Sequence, residues 1–452
     1  MELSDILKEL EIYLKNKVEK ESKWTEGEWI KYSGPFFSKD EYIEAIKTLL
    51  DGWLIFGKKS REFENEFSKF LGKKHGTLTN SGSSANLLMV SALTSKDPNL
   101  NDKYKVKKGD KFITPVVCFP TTLNPLIQNG LEPVFVDVTL PDLNLDLDQV
   151  EKILKEDVNR EIKGIIFAHV LGNPPNMDRL MSLVEDYNLI YLEDACDAVG
   201  STYNGKKLGS FGIMSTCSFF PAHHMTMGEG GFIATNSPRI RKILASFRDW
   251  GRACYCNSIK PGDVTEETAC GNRFGPWLKE VPEAMYDHRY VFEEIGYNLK
   301  PLELQAAIGL EQIKKLDFLH EKRKENFNLL YDVFKKYEKF FILPKATEKA
   351  DPSWFGFLLT LKDDCPFSRT EFMEYLEKNK IQTRAYFTGN CLYHPAYEEY
   401  AEKYSDLKKS FPVAHKATFD TMFLGTFAGI NLEKIKYIDK ITKKFLLNRG
   451  LS

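Results

Sequence analysis

No stretch of this 452-residue chain approaches the roughly 18 consecutive apolar residues that a membrane helix requires, which argues against an integral membrane protein. A charge excess is missing as well. Lys and Arg number 62 against 64 Asp and Glu, a net charge of −2 with the signs mixed along the chain, so the basic footprint of a nucleic-acid binder is not there. Residues 1–20, MELSDILKELEIYLKNKVEK, are charged throughout and lack the apolar centre of a secretory signal. They read as a surface helix with Ile6, Leu7 and Leu10 on one face. Without an export signal the expected compartment is the cytoplasm, where reducing conditions disfavour disulfides among the eight cysteines. Repeats and low-complexity linkers are absent too, so the length must fold into conventional domains, with room for two. Lysine has a gap of its own: none lies between Lys207 and Lys242.

What the chain does contain is an alternation of short apolar runs with polar helical stretches. The runs are KFITPVV (111–117), PVFVDV (133–138), GIIFAHV (164–170), LIYLED (189–194) and GFIATN (231–236). That alternation predicts an α/β fold around a mostly parallel sheet. Helices are expected near 40–51 and over REFENEFSKFLG, on either side of GWLIFG at 52–57. From His320, HEKRKENFNLLYDVFKKY reads as a long exposed helix, and WFGFLLTL and IQTRAYF read as strands of a smaller terminal domain. The expected organisation is a helical arm over 1–35, a large domain over 36–320 and a small C-terminal domain over 321–452.

Four segments carry chemistry. Asn80-Ser81-Gly82-Ser83-Ser84-Ala85-Asn86 precedes an apolar helical pattern. Glycine allows close backbone approach there, and hydroxyls with helix-starting N–H groups suit a phosphate, although a plain serine-rich cap would look the same. Asp194 closes an apolar strand, where a carboxylate is costly unless paired. SFFPAHHMTMGEGG, from Ser218 to Gly231, has two histidines ahead of a glycine-rich turn, and imidazole moves protons near neutral pH. Finally, Cys254 and Cys256 form a Cys-x-Cys pair in polar surroundings, which points to zinc or an iron–sulfur cluster rather than to core. Cys118, Cys217, Cys365 and Cys391 read as ordinary buried cysteines.

In order and spacing, segments covering most of residues 30 to 320 resemble the fold-type I pyridoxal-phosphate (PLP) aminotransferases that modify nucleotide sugars. The resemblance implies an aspartate-aminotransferase-like fold. It also implies that Gly82, Ser83, Ser84 and Ser218 hold the cofactor phosphate, that Phe119 stacks on the ring, and that Asp194 pairs with the ring nitrogen. Asn298, in GYNLKPLELQAAIG, matches the residue that reaches the phosphate of the neighbouring subunit, which implies a homodimer. The chain departs from the family at two positions. His223 stands where the family has its Schiff-base lysine, with His224 the adjacent alternative, and Asp197 stands where many members carry Gln or His. Both departures fit a cofactor held without a covalent link, as pyridoxamine phosphate (PMP).

Cys196, Cys254, Cys256 and Cys270 resemble the ligand set of one subgroup, the iron–sulfur, PMP-dependent 3-dehydrases of nucleotide-linked 4-keto-6-deoxy sugars. The interval before Cys270, NSIKPGDVTEETA, is longer than the family's, which leaves Cys217 as a distant alternative. Cys196 lies about 7 Å along the strand from Asp194, so a redox cluster, expected to be [2Fe-2S], is favoured over structural zinc. The resemblance then implies deoxygenation at carbon 3 of a nucleotide-linked sugar, with CDP-4-keto-6-deoxy-D-glucose the favoured substrate. His223 would be the general base, and electrons would come from a separate NAD(P)H-dependent flavin or iron–sulfur reductase. Two other readings stay open: a cluster-free 3-dehydratase that regenerates PMP with glutamate and acts on a GDP-sugar, and a non-catalytic sensor of the cofactor or sugar nucleotide.

Overall fold

The computed structural model describes residues 2–254 and 273–451. It opens with three helices, α1 (Leu3–Ser22), α2 (Lys39–Asp51) and α3 (Lys58–Leu71). In α1 the inward residue is Leu14, with Leu7 and Leu10 half-buried, whereas Ile6 is exposed and leaves the expected face. Helix α2 starts at a capping box in which the Ser38 N–H donates to the Glu41 carboxylate at 2.8 Å.

The main sheet has seven strands: β1 (His75–Thr79), β2 (Lys111–Pro115), β3 (Glu132–Val136), β4 (Ile162–Ala168), β5 (Ile190–Asp194), β6 (Met214–Ser218) and β7 (Gly231–Thr235). Their spatial order is β1-β7-β6-β5-β4-β2-β3, and β7 alone runs against its neighbours. Helices cover both faces, so strands such as β5 are buried along their whole length and read as continuous apolar runs. Strands β1 (HGTLT) and β6 (MSTCS) have no such run and are not evident in the sequence. They are buried nonetheless, because their hydroxyls find partners: the Thr216 hydroxyl donates to Asn86 Oδ1 at 2.6 Å.

Helices α4 (Gly82–Ser91) and α5 (Pro120–Gln128) follow β1 and β2, and α6 (Pro238–Arg248) follows β7. After α7 (Glu303–Ile313) comes α8 (Leu316–Lys335), which spans the expected domain boundary. It starts before His320 and is not the exposed helix its charges suggest, since His320, Arg323, Asn326, Phe327, Leu330 and Phe334 are all buried. A second, four-stranded antiparallel sheet contains β8 (Gly356–Leu361) and β9 (Thr421–Gly425) at its centre. Of IQTRAYF only Arg384–Ala385 is strand, a short edge piece beside β9. One apolar core runs from Leu88, Phe112, Leu192 and Ile233 through to Leu358, Cys391 and Phe423, so the two sheets share buried contacts.

Candidate active site

Register brings the sequence motifs to one end of the main sheet. Thr79 on β1 and Ser218 on β6 both pair with Gly231 on β7, and Thr216 on β6 pairs with Asp194 on β5. The carboxyl ends of β1, β5 and β6 therefore meet, the usual ligand position in such sheets. The loop after β1 is capped by Ser81, whose Oγ accepts from the Ser84 N–H at 3.1 Å. Packing here tolerates no side chain. A Cβ on Gly82 would lie 2.4 Å from Ser218 Cβ, and one on Gly231 would lie 2.0 Å from the Ser81 carbonyl oxygen. Gly82 and Ser218 are thus in direct contact. Ser83 is exposed beside them, donating to Thr121 Oγ1 at 3.0 Å, and Ser84 is half-buried. A helix N-terminus ringed by hydroxyls fits a phosphate dianion.

Asp194 is 2% exposed. Its Oδ2 accepts from Asn86 Nδ2 and the Thr122 hydroxyl, each at 2.8 Å, and its Oδ1 accepts from the Cys196 N–H at 3.0 Å. All three partners are hydrogen-bond donors, and no side-chain cation pairs with it among the described residues. A pyridinium nitrogen would supply the missing partner, so the site fits the PLP ring. Asn86 and Thr122, which hold Asp194, were not singled out from the sequence. Asn86 lies four positions after Gly82 on α4, on the buried side, which was the available signal. Phe119 caps α5 with its ring 48% exposed and 5.8 Å from Phe387, free to cover a flat ligand.

Asp197 and His223 come together. Asp197 Oδ1 is 3.3 Å from His223 Nδ1, in ion-pair contact but without hydrogen-bond alignment, and that nitrogen has no other partner. Burial pushes the Asp197 carboxyl up, against a lowering by His223. The neighbouring histidine has another fate. His224 is 2% exposed, its Nε2 meets the Ser353 carbonyl, and burial with Arg323 and His320 nearby pushes it well below the usual imidazole range. It stays neutral in the core.

Sequence reasoning also missed Arg323. Its guanidinium donates to the carbonyls of Ala222 and His223 at 3.4 and 2.8 Å, and to those of Trp354 and Phe355 at 3.3 and 3.2 Å. Asn298 is exposed, and its Oδ1 accepts from Lys300 Nζ at 2.6 Å. Its neighbour Leu299 accepts at its carbonyl from the Asn80 N–H at 3.0 Å, so this segment leans on the phosphate loop.

The cysteines are only partly in view. Cys196 and Cys254 are half-buried, while Cys256 and Cys270 lie outside the described residues. Among the described residues no group of three or more His, Cys, Asp or Glu side chains is gathered to hold a metal. Cys118, Cys217 and Cys391 are buried, and Cys365, expected in the core, is half-buried. No helix among the described residues is long and apolar enough to cross a membrane.

Residues 37–442 match the family described as the DegT/DnrJ/EryC1/StrS aminotransferase family. The chain is 42% identical over 418 residues to the lipopolysaccharide biosynthesis protein RfbH of Salmonella typhimurium, covering 92% of each. It is 39% identical over 417 residues to the dTDP-4-dehydro-2,6-dideoxy-D-glucose 3-dehydratase of Saccharopolyspora spinosa, covering 92% of this chain and 86% of that one. Among solved structures, a GDP-4-keto-6-deoxymannose-3-dehydratase with a trapped PLP–glutamate geminal diamine superposes with a TM-score of 0.76. It is 30% identical, and the match covers 91% of this chain and 99% of that one.

Proposed function

We propose, from the premise that this chain belongs to the DegT/DnrJ/EryC1/StrS aminotransferase family, that it is a PMP-dependent 3-dehydratase of a nucleotide-linked 4-keto-6-deoxy sugar. The observation that carries this reading is the imidazole of His223, paired with buried Asp197 in a stretch that has no lysine from 208 to 241. With no lysine amine in this stretch, the family's Schiff-base position can neither hold the cofactor covalently nor pass on an amino group. It can move a proton.

When bound, PMP supplies a ring that takes up charge as a proton leaves its methylene carbon. The chain's residues divide the remaining work. The N-terminus of α4 with Ser83, Ser84 and Ser218 holds the phosphate, and Asn298 reaches the phosphate in the partner of a homodimer. Phe119 covers the ring, and Asp194 keeps its nitrogen charged. With the cofactor bound, His223 would take the methylene proton, Asp197 would balance the resulting imidazolium, and the imidazolium would pass that proton to the carbon-3 hydroxyl so that it leaves as water. A dehydratase among the relatives, acting on a dTDP-linked sugar, supports this substrate class.

Two routes could leave the cofactor as its amine: glutamate could resupply the nitrogen after hydrolysis, or two electrons delivered before hydrolysis could let the cofactor keep its own nitrogen. The solved 3-dehydratase with a trapped PLP–glutamate adduct supports glutamate as the donor, with no cluster. A second reading rests on sequence spacing: Cys196, whose N–H donates to the carboxylate of Asp194 adjoining the cofactor site, would act with Cys254, Cys256 and Cys270 as a ligand set. That set would hold a [2Fe-2S] cluster fed by a separate NAD(P)H-dependent reductase. Anaerobic purification followed by an iron and sulfide count separates the routes. Serine at any of the four cysteines should bleach the visible absorbance if the cluster exists. An iron-free protein that turns over with glutamate establishes the first route.

The test of the function itself is incubation with PMP and CDP-, GDP- or dTDP-4-keto-6-deoxy sugars in deuterated water. Deuterium should enter the PMP methylene and the sugar should lose its carbon-3 hydroxyl. A 4-amino sugar formed instead would overturn the proposal.

A further inference from the structure

Arg323 is a buried cation for which the proposed chemistry supplies no task. It is 2% exposed and sits on α8, among residues that belong with the second sheet. Burying a charge is costly unless a carboxylate or a full set of hydrogen bonds compensates. Its hydrogen bonds run to four backbone carbonyls, and among the described residues Asp197 is the carboxylate whose charge acts on it.

The four carbonyls come in two pairs. Ala222 and His223 belong to the loop that bears the imidazole, while Trp354 and Phe355 lead into β8. A guanidinium is a rigid planar fork, so holding both pairs fixes one segment against the other in a way a flexible ammonium cannot reproduce. Phe355 is also part of the cage around the base, since its ring lies 5.3 Å from that of His223, tilted by 49°. Asp197 closes the other side, 3.3 Å from Nδ1. The imidazole therefore stands between two groups, one of which is held by the same fork that holds its own backbone.

We propose that Arg323 is the positioning residue of His223: without touching substrate or cofactor, it sets where the imidazole stands by binding the 222–223 backbone and the Phe355 segment together. This rests on the reading of His223 as the base. A displacement of about 1 Å in such a group is enough to cost on the order of 10²-fold in rate.

The experiment compares the wild type with Arg323→Lys, which keeps the charge and removes the fork. In the cofactor-free protein, amide hydrogen exchange of peptides spanning 219–227 should rise about tenfold or more, while peptides from β8 and β9 are unchanged. In the PMP-loaded protein, cofactor affinity and substrate KM should stay within about twofold, and deuterium entry at the PMP methylene should slow by about 10²-fold. A third arm uses His223→Lys and His223→Lys/Arg323→Lys loaded with PLP, reduced with borohydride and peptide-mapped. The yield of pyridoxyl-lysine at 223 should fall in the double variant. That arm and the amide exchange report on position alone. If the dehydratase reading fails, they still change although the wild type makes no deoxygenated sugar. The positioning role is overturned if Arg323→Lys exchanges methylene protons at the wild-type rate, or if its losses merely follow lost cofactor affinity. Should Arg323→Lys not fold, Phe355→Leu removes the wall beside the imidazole, and a wild-type exchange rate there overturns the proposal equally.

Discussion

The phosphate end of the site and its base end are each anchored by one buried guanidinium, held in opposite ways. Arg248, at the end of α6, donates to Glu64 at 2.9 Å, to Asp249 at 3.0 Å and to the Leu78 carbonyl at 3.0 Å, with the Phe56 ring 4.2 Å away. Burial alone would lower its pKa, but Asp249 and Glu64 outweigh that and raise it. Arg323 has carbonyls where Arg248 has carboxylates, and burial lowers it to about 9 against the opposing pull of Asp197. The phosphate end is thus closed by ion pairs that lock β1 in place. The base end is held by a cation that shares the charge of Asp197 with the imidazole. On the proposed function, cofactor retention would fall to the first end and proton transfer to the second.

Breaking the base end should give the largest effect. His223→Ala is expected to keep PMP, seen in the cofactor absorbance after gel filtration. Methylene deuterium exchange should slow by about 10²–10⁴-fold, the range for a lost general base. Loss of PMP together with exchange would erase the division between the two ends.

The next effect strikes the phosphate end. Arg248→Met removes the main partner of the Glu64 carboxylate, which is 5% exposed and keeps the longer contact to Arg241 at 3.7 Å. Breaking a buried pair by removing one partner costs about 3–5 kcal/mol. Urea denaturation should report a loss of that order. A loss below about 1 kcal/mol would mean that Arg248 is no more an ion-paired anchor than Arg323.

Gly82→Ala should be milder and selective. The added Cβ, 2.4 Å from Ser218 Cβ, forces the phosphate loop off β6. Overpacking of this kind costs about 1–3 kcal/mol, which should appear in a PMP titration as about ten- to hundredfold weaker binding. The exchange rate at saturating PMP should hardly change.

The smallest effect at neutral pH, and one that grows in acid, is a difference in acid sensitivity. Beneath the base end, burial, with Arg323, Lys207 and Lys324 nearby, lowers His320 to about 3 from an ordinary 6.5. Between those values the unfolded chain holds a proton that the folded chain does not, so stability falls as pH drops from about 6.5 towards 3. The slope is about 1.4 kcal/mol per pH unit. His320→Gln removes that slope, and the wild-type-minus-variant stability measured from pH 7 to pH 4 should decline accordingly. A flat difference would show that His320 takes up its proton in the folded state.

The residues that would touch the cofactor were legible because their chemistry is local. Asp194 ends an apolar run, and the serine-rich loop precedes a helical pattern, so each announces itself within a few residues. What holds them was not legible. Asn86 and Thr122 both donate to Asp194 Oδ2, from different helices, and only sheet register brings those helices together. Arg323 was hidden by composition, since HEKRKENF looks solvated. Its spacing was the readable clue: Leu316, Leu319, Arg323, Phe327, Leu330 and Phe334 recur at helical intervals and all are buried, which places the arginine inside the apolar stripe. Strands β1 and β6 escaped for a related reason, because hydroxyl pairing replaced the apolar runs by which the other strands were found.

The reversed strand β7 has a consequence for how this chemistry could be exchanged. Because Ser218 pairs with Gly231, and the Phe219 N–H donates to the Gly230 carbonyl at 2.9 Å, the stretch bearing the imidazole leaves the sheet and returns to it at a single point. It is a loop joined to the sheet at its two ends and held at its middle by Arg323 and by buried His224, with the sheet continuous underneath. A lysine-bearing cassette of the same length, grafted between 218 and 231, would meet an unchanged phosphate cradle and an unchanged Asp194. The sheet and the phosphate cradle would be the same for either reaction, and the choice between removing a hydroxyl and installing an amine would rest on one side chain in a loop that Arg323 holds in place.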